Sequence, residues 1–161
     1  MALTDYTSYA EIRAAVGVAR LEITDAVIGL PLYERLLQFD LKDISPTIEA
    51  AYLALGEEGS LSDPQLTFYS AMQVYAAYDV AYRLTFVLEM SAPEKIQDSK
   101  TALTRKVDYD VVRANVAAGL SQAKTRLIDS YNEIEPTVEE LGATFTPMSG
   151  VSIATDPVTD S

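Results

Sequence analysis

Apolar residues recur at three- and four-residue steps along most of the first 134 positions, which is the spacing of one face of an α-helix. Ser8 with Glu11 three residues on is a capping-box pattern, and Ile12, Ala15 and Val16 then mark a short helix that Gly17 stops. The next helix starts at Thr24 or Asp25 and carries Ala26, Leu30, Tyr33, Leu37, Leu41 and Ile44 to its end. Pro31 lies inside that pattern and predicts either a kink or a fresh start at a first helical position. Ser45-Pro46 opens a third segment that runs through Leu55 and closes at Gly56. Glu57 to Leu61, with Gly59 at its centre, is a polar loop.

Ser62-Asp63-Pro64 caps a central helix that extends to about Met90. From Tyr69 onward it is apolar on nearly every side, so it should be surrounded by other helices. Asp79 and Arg83, four apart in the favourable order, are expected to pair on its one polar strip. Tyr69, Tyr75, Tyr78 and Tyr82 have no other titratable neighbours on that helix, which assigns them to packing rather than to an active site. Ser91-Ala92-Pro93 breaks the helix, and residues 94–107 form a connecting segment. A last long helix runs from about Asp108 to Ile134 on a stripe of Val112, Val116, Leu120, Ala123, Leu127, Tyr131 and Ile134. The expected architecture is all-α: a bundle of about four main helices plus a short N-terminal one over residues 1–135, followed by an extended C-terminal arm over residues 136–161.

The arm is a change of character. After Gly142 no helical period remains, and Pro147, Gly150 and Pro157 punctuate the chain too often for a buried strand pair. Phe145, Met148, Val151, Ile153 and Val158 nevertheless make it more apolar than a solvated linker. Fully extended, the segment from Gly142 to Ser161 spans roughly 60–70 Å, enough to reach a neighbouring molecule. An ordinary frayed terminus is the alternative. As a docking arm it would place Phe145, Pro147, Met148, Val151, Ile153 and Val158 on a partner.

Composition removes several function classes. With 161 residues the chain is one domain by default and can bury roughly 70% of its unfolded surface. It has no Cys, hence no disulfide, thiolate nucleophile or Cys-ligated metal. It has no His either, which removes the usual general base near neutral pH and the usual zinc ligand. Neither a Gly-rich dinucleotide fingerprint nor a phosphate-binding loop is present, and no cofactor is expected. The longest strongly apolar run, Leu84 to Leu88, falls far short of the ~20 residues that span a bilayer. The N-terminus lacks a basic start and apolar core, so the expectation is a soluble intracellular protein with no membrane partner.

A net charge of -12 disfavours sequence-independent nucleic-acid binding, which draws its affinity from Lys and Arg on phosphates. The charge is segregated. Residues 1–94 carry 5 basic and 14 acidic side chains, residues 95–126 carry 7 and 3, and residues 127–161 carry none and 7. The basic island of Lys95, Lys100, Arg105, Lys106 and Arg113 could meet the acidic surface of a neighbouring subunit, or be a solvated face of little energetic weight.

The opening Tyr6-Thr7-Ser8-Tyr9-Ala10-Glu11-Ile12-Arg13-Ala14-Ala15-Val16-Gly17, followed by Glu22-Ile23-Thr24-Asp25 and Gly29-Leu30-Pro31-Leu32-Tyr33, resembles the start of head-to-tail connector proteins of tailed bacteriophages. The stretch Gln97-Asp98-Ser99-Lys100 through Arg105, leading by Asp108-Tyr109-Asp110 into Val116, is similar to the segment that precedes the last helix of those small adaptors. The resemblance covers most of residues 1–134, and none of its motifs is catalytic. It implies a non-enzymatic virion protein at the head-tail junction: a helical subunit of a dodecameric homo-oligomeric ring below the portal protein. Such a ring extends the DNA channel, lets DNA pass without specific binding, and presents a surface to a tail or nozzle protein. It also implies a C-terminal extension that docks on the portal, which agrees with the arm argued from composition.

Two other classes fit parts of the pattern. A carboxylate-only enzyme or Mg²⁺ site could draw on Glu34, Asp40, Glu49 or Asp79, but no D-x-D or E-x-x-E spacing lies on an evident inward face. A small acidic regulator, such as a DNA mimic, would need an acidic face on nearly every helix, and the basic block spoils it.

Overall fold

The computed structural model describes the backbone of residues 2–17, 23–91, 96–98, 101–103 and 108–142, and the side chains of residues 2–17, 23–88 and 108–134. Within these bounds the chain is an all-α bundle with one short hairpin. A 3₁₀ turn at Leu3–Asp5 leads into α1 (Tyr9–Val16), α2 (Asp25–Ile28), α3 (Pro31–Ile44), α4 (Ile48–Gly56) and α5 (Asp63–Ser91). The strands β1 (Ile96–Asp98) and β2 (Thr101–Leu103) and then α6 (Tyr109–Gly142) complete it.

The local signals act as their chemistry requires. The Ser8 hydroxyl accepts from the Glu11 amide at 3.2 Å while the Glu11 carboxylate accepts from the Ser8 amide at 2.9 Å, so two orphan donors of α1 are satisfied reciprocally. At the other end Gly17 adopts φ 79°, the left-handed conformation that a residue without Cβ enters at no steric cost. Pro31 resolves its ambiguity as a fresh start: α2 ends at Ile28 and Pro31 opens α3, where its missing N–H is no loss. The third segment starts two residues later than expected, at Ile48, because Ser45 and Thr47 pair their hydroxyls at 3.0 Å in a turn before it. Gly56 belongs to the last turn of α4 and Glu57 follows it with right-handed backbone, so no left-handed cap is used there.

The core gathers on α5, against which α1, α3, α4 and α6 all pack. Phe68, Met72, Tyr75, Val80 and Leu84 of α5 are buried, as are Tyr33, Leu37 and Leu41 of α3. From α6 come Val116, Ala123, Leu127, Tyr131 and Ile134, five of the seven positions of the expected stripe, with Val112 and Leu120 half-buried beside them. Tyrosines serve as packing units. Tyr6, Tyr52 and Tyr69 form a stacked ladder with ring centroids 5.7 and 4.6 Å apart, linking the N-terminal turn through α4 to α5. The Tyr6 hydroxyl donates to Glu49 at 2.5 Å, that of Tyr52 donates to the Asp5 carbonyl at 3.0 Å, and those of Tyr131 and Thr47 meet at 2.7 Å. Where α5 crosses α6, a Cβ on Gly119 would sit 2.3 Å from Cε1 of Tyr78, so only glycine admits the ring at that crossing.

Three expectations need correction. The central helix is not enclosed on every side: Val74, Phe86 and Val87 are exposed by 44%, 45% and 38%, because the neighbouring helices cover only part of its circumference. The connecting segment is not without order, since Ile96, Gln97 and Asp98 pair antiparallel with Leu103, Ala102 and Thr101. Finally, the last helix does not end at Ile134. Its backbone stays helical through Pro136 to Gly142, giving up only the hydrogen bond that a proline cannot donate, so the boundary drawn at residue 135 falls inside α6. The remainder of the expected arm, residues 143–161, lies outside the described residues.

Candidate functional site

Among the described residues, two clefts between helices and a charge cluster beside one of them combine cavity, apolar wall and ionisable side chains. The cluster stands where α3 meets α5. Arg83 donates through Nε to Asp79 at 3.1 Å and through Nη2 to the second Asp79 oxygen at 3.2 Å, the expected i, i+4 pair closed as a two-point fork. The same Nη2 reaches Asp40 of α3, which lies 43 residues earlier in the chain. One guanidinium therefore serves two carboxylates, and the cluster carries a net single negative charge.

Asp79 is only 3% exposed, while the Arg83 and Asp40 side chains keep 25% and 37% of their surface, so the pair on the polar strip of α5 runs from the interior to the rim of the bundle. Burial pushes its carboxyl up to about 6, against the pull of Arg83, and the Asp40 charge beyond the guanidinium adds to the rise. Burial works to lower the Arg83 value, but its two acidic partners outweigh that and raise it. Tyr75, packed beside the cluster, is held above the ordinary phenol range by burial first and by the Asp79 charge second.

Above the cluster opens a cavity of 420 Å³ between α3, α5 and α6, walled by Leu32, Leu36, Tyr82, Phe86, Val87 and Leu120. Tyr82 meets Phe86 edge to face at 5.4 Å, and the Arg113 guanidinium lies over the Phe86 ring at 4.6 Å. Arg113 also donates to Asp110 at 3.3 Å. This member of the basic island thus has partners within its own chain, whereas Lys95, Lys100, Arg105 and Lys106 lie outside the described residues. The arm positions Phe145, Pro147, Met148, Val151, Ile153 and Val158 lie outside them as well.

The larger cleft, 590 Å³, runs between α5 and α6. Ala71, Ala123 and Ser130 make its more buried lining, Leu66, Ser70 and Val74 its exposed α5 lip, and Arg126, Asp129 and Glu133 its α6 rim. Leu66 is 48% exposed, and Ser130 is buried with its hydroxyl donating to the Leu127 carbonyl.

The four acids that could have served carboxylate chemistry fall into two separate groups, Asp40 with Asp79 and Glu49 with Glu34, the charges of the second pair both being felt at Tyr6. Asp40 and Asp79 share Arg83, while Glu49 accepts from Tyr6 and, at 3.2 Å, from Gln38 on the far side of α3. Among the described residues no three acidic side chains are grouped so as to hold a metal ion, and no helix is long and apolar enough to cross a membrane. Sequence reasoning missed the apolar outer stripe of α3. Leu32, Leu36 and Phe39 follow i, i+4, i+7 spacing on a face about 130° round the helix from that of Tyr33, Leu37 and Leu41, at 100° per residue, and that second period was the available signal. The Asp40 to Arg83 contact had no local signal at all.

No protein-family model matches this chain, and no curated protein and no solved structure matches it.

Proposed function

We propose that the chain is a structural subunit of a tailed-phage virion: a head-to-tail adaptor that assembles as a ring under the portal protein, prolongs the DNA channel and joins head to tail. The observation that carries this reading is the pair of separate apolar faces left open on one bundle. On the α5 wheel Val74 and Phe86 stand about 120° apart at 100° per residue, so the lip of the larger cleft and the wall of the smaller one look in different directions. A subunit with two unlike sticky faces is what head-to-tail association around a closed ring requires, whereas a two-fold dimer uses one face twice. The sequence resemblance to phage connectors supports the same assignment.

The two clefts suit contact better than catalysis. Apolar walls with charged rims are the anatomy of an interface, and Asp79, Asp40 and Glu49 already have partners. A strongly acidic subunit also suits a channel wall from which DNA slides free, since like charge disfavours phosphate binding. The arm, residues 143–161, docks on the portal in this reading and brings Phe145, Met148, Val151 and Ile153 as anchors. Ordering it costs roughly 1–2 kcal/mol per residue in backbone entropy, so several anchors must be buried for it to hold.

The test is a mass measurement of the purified chain alone, mixed with its candidate portal protein, and again after truncation at Gly142. A ring that forms on the portal, and a truncated chain that keeps its helical signal but binds the portal weakly, are the expected results. Failure of the full chain to associate with any portal or tail protein would remove the assignment.

A further inference from the structure

The chain carries both halves of a helix-in-groove contact. Leu32, Leu36 and Phe39 occupy an arc of about 60° on the outer face of α3, at 100° per residue, with Leu32 exposed by 57% and Phe39 by 63%. An i, i+4, i+7 row of large apolar side chains on a helix already anchored by another face, with its two end members more than half exposed, is a ridge that its own chain only partly covers. The cleft between α5 and α6 is a groove without a ridge: small side chains on its floor leave room for a helix to approach, and Leu66 and Val74 line its lip.

Their charges are complementary. Arg35 and Lys42 flank the ridge on one side of α3, and Asp129 and Glu133, one helical turn apart, stand on the rim of the groove. The converse pair has the same sense, with Asp43 at the end of the ridge and Arg126 on the rim. Ridge and groove lie on different elements, so one copy cannot pair its α3 outer face with its partner's α3 outer face and gain this match.

We infer that the α3 ridge of one copy seats in the α5/α6 groove of the next, so that identical chains associate head to tail. This rests on the ring reading and specifies which surfaces make the ring. The smaller cavity shares Leu32 and Leu36 with the ridge, which extends the covered area over Phe86 and Val87.

The chain contains no cysteine, so introduced thiols report a single contact. Phe39→Cys and Val74→Cys both fall on exposed side chains and should leave the helical signal intact. Under mild oxidation of the concentrated protein, the double variant should give a multi-rung ladder, an equal mixture of the two single variants should stop at dimer, and each single variant alone should stay monomeric. Charge reversal gives an independent arm: Arg35→Glu should cut the cross-linked yield, and Asp129→Arg added to it should restore the yield. Homodimers from either single variant, or a double variant that yields no ladder, would overturn the pairing. If wild-type rings still form on a portal in that case, the ring reading survives without this interface. An endless ladder with no closed species upholds the pairing and removes the ring.

Discussion

Replacing Asp79 with Asn should stabilise the protein at alkaline pH and lose that advantage as the medium is acidified. The side chain is 3% exposed, and burial raises its carboxyl from 3.8 in the unfolded chain to about 6 in the folded one. A carboxyl with a raised folded value binds its proton more tightly in the native state, so acidification stabilises the fold through this group. Its contribution is fully present below pH 3.8 and is lost as the pH rises through 6. Between pH 8 and pH 5 that linkage is worth about 1.4 kcal/mol, and over the whole range about 3 kcal/mol, at 1.36 kcal/mol for each unit. Asn has nearly the same shape and no charge to bury, so the variant lacks this contribution to the pH dependence and keeps those of the other groups.

The Asn variant forfeits one charge-assisted bond to Arg83, but the guanidinium keeps Asp40 as its counter-ion, and buried ion pairs are often replaced at no net cost. Urea unfolding followed by far-UV circular dichroism at pH 5, 6.5 and 8 reads the difference between wild type and Asp79→Asn. The expected result is a difference that moves by about 1.4 kcal/mol in favour of Asn from pH 5 to pH 8. A difference independent of pH would mean that Arg83 holds Asp79 ionised throughout, and the reasoning from burial would be wrong.

Gly119→Ala should gain up to about 1 kcal/mol in helix propensity yet lose more to the Tyr78 ring, for a net destabilisation of about 1–2 kcal/mol in thermal or urea unfolding. Tyr78→Ala placed on top of it should make the glycine substitution harmless or favourable. Gly17→Ala should cost about 1 kcal/mol, because φ 79° strains any residue with a Cβ. Ser8→Ala, which removes the cap of α1, should cost about 1 kcal/mol by the same measurement. Tyr6→Phe leaves Glu49 with Gln38 alone inside the N-terminal contact and should cost about 1–2 kcal/mol, with proteolysis near the N-terminus rising first.

What was legible in the chain was what neighbouring residues decide among themselves. Ser8, Glu11 and Gly17 delimit α1 through bonds spanning three or four positions, and Pro31 can begin a helix because its own ring fixes φ. The stripe from Val116 to Ile134 repeats often enough for its period to identify the buried face. Pro136 misled because a proline forbids one hydrogen bond, whereas the helix around it keeps the rest. The hairpin escaped notice since its strands are three residues long and Ser99-Lys100 between them lacks the Gly or Asn of a tight turn.

The candidate site divides along the same line. Pairing of Asp79 with Arg83 follows from spacing on one helix, but its burial and its second carboxylate depend on α3 lying alongside, a tertiary fact. The apolar character of α5 was visible, and it was taken to mean enclosure within one chain. The described helices leave Val74, Phe86 and Val87 exposed, and under the proposed ring reading that surplus of apolar positions along α5 belongs to contacts between subunits. Substituting Val74 by Ser should therefore leave the unfolding free energy within about 0.5 kcal/mol of wild type, as for exposed positions, and Phe86→Ser should cost about 1–2 kcal/mol for its contacts with Tyr82 and Arg113, while each weakens self-association. A loss of stability as large as that of a core truncation would place those side chains inside the monomer and take away the faces on which the ring depends.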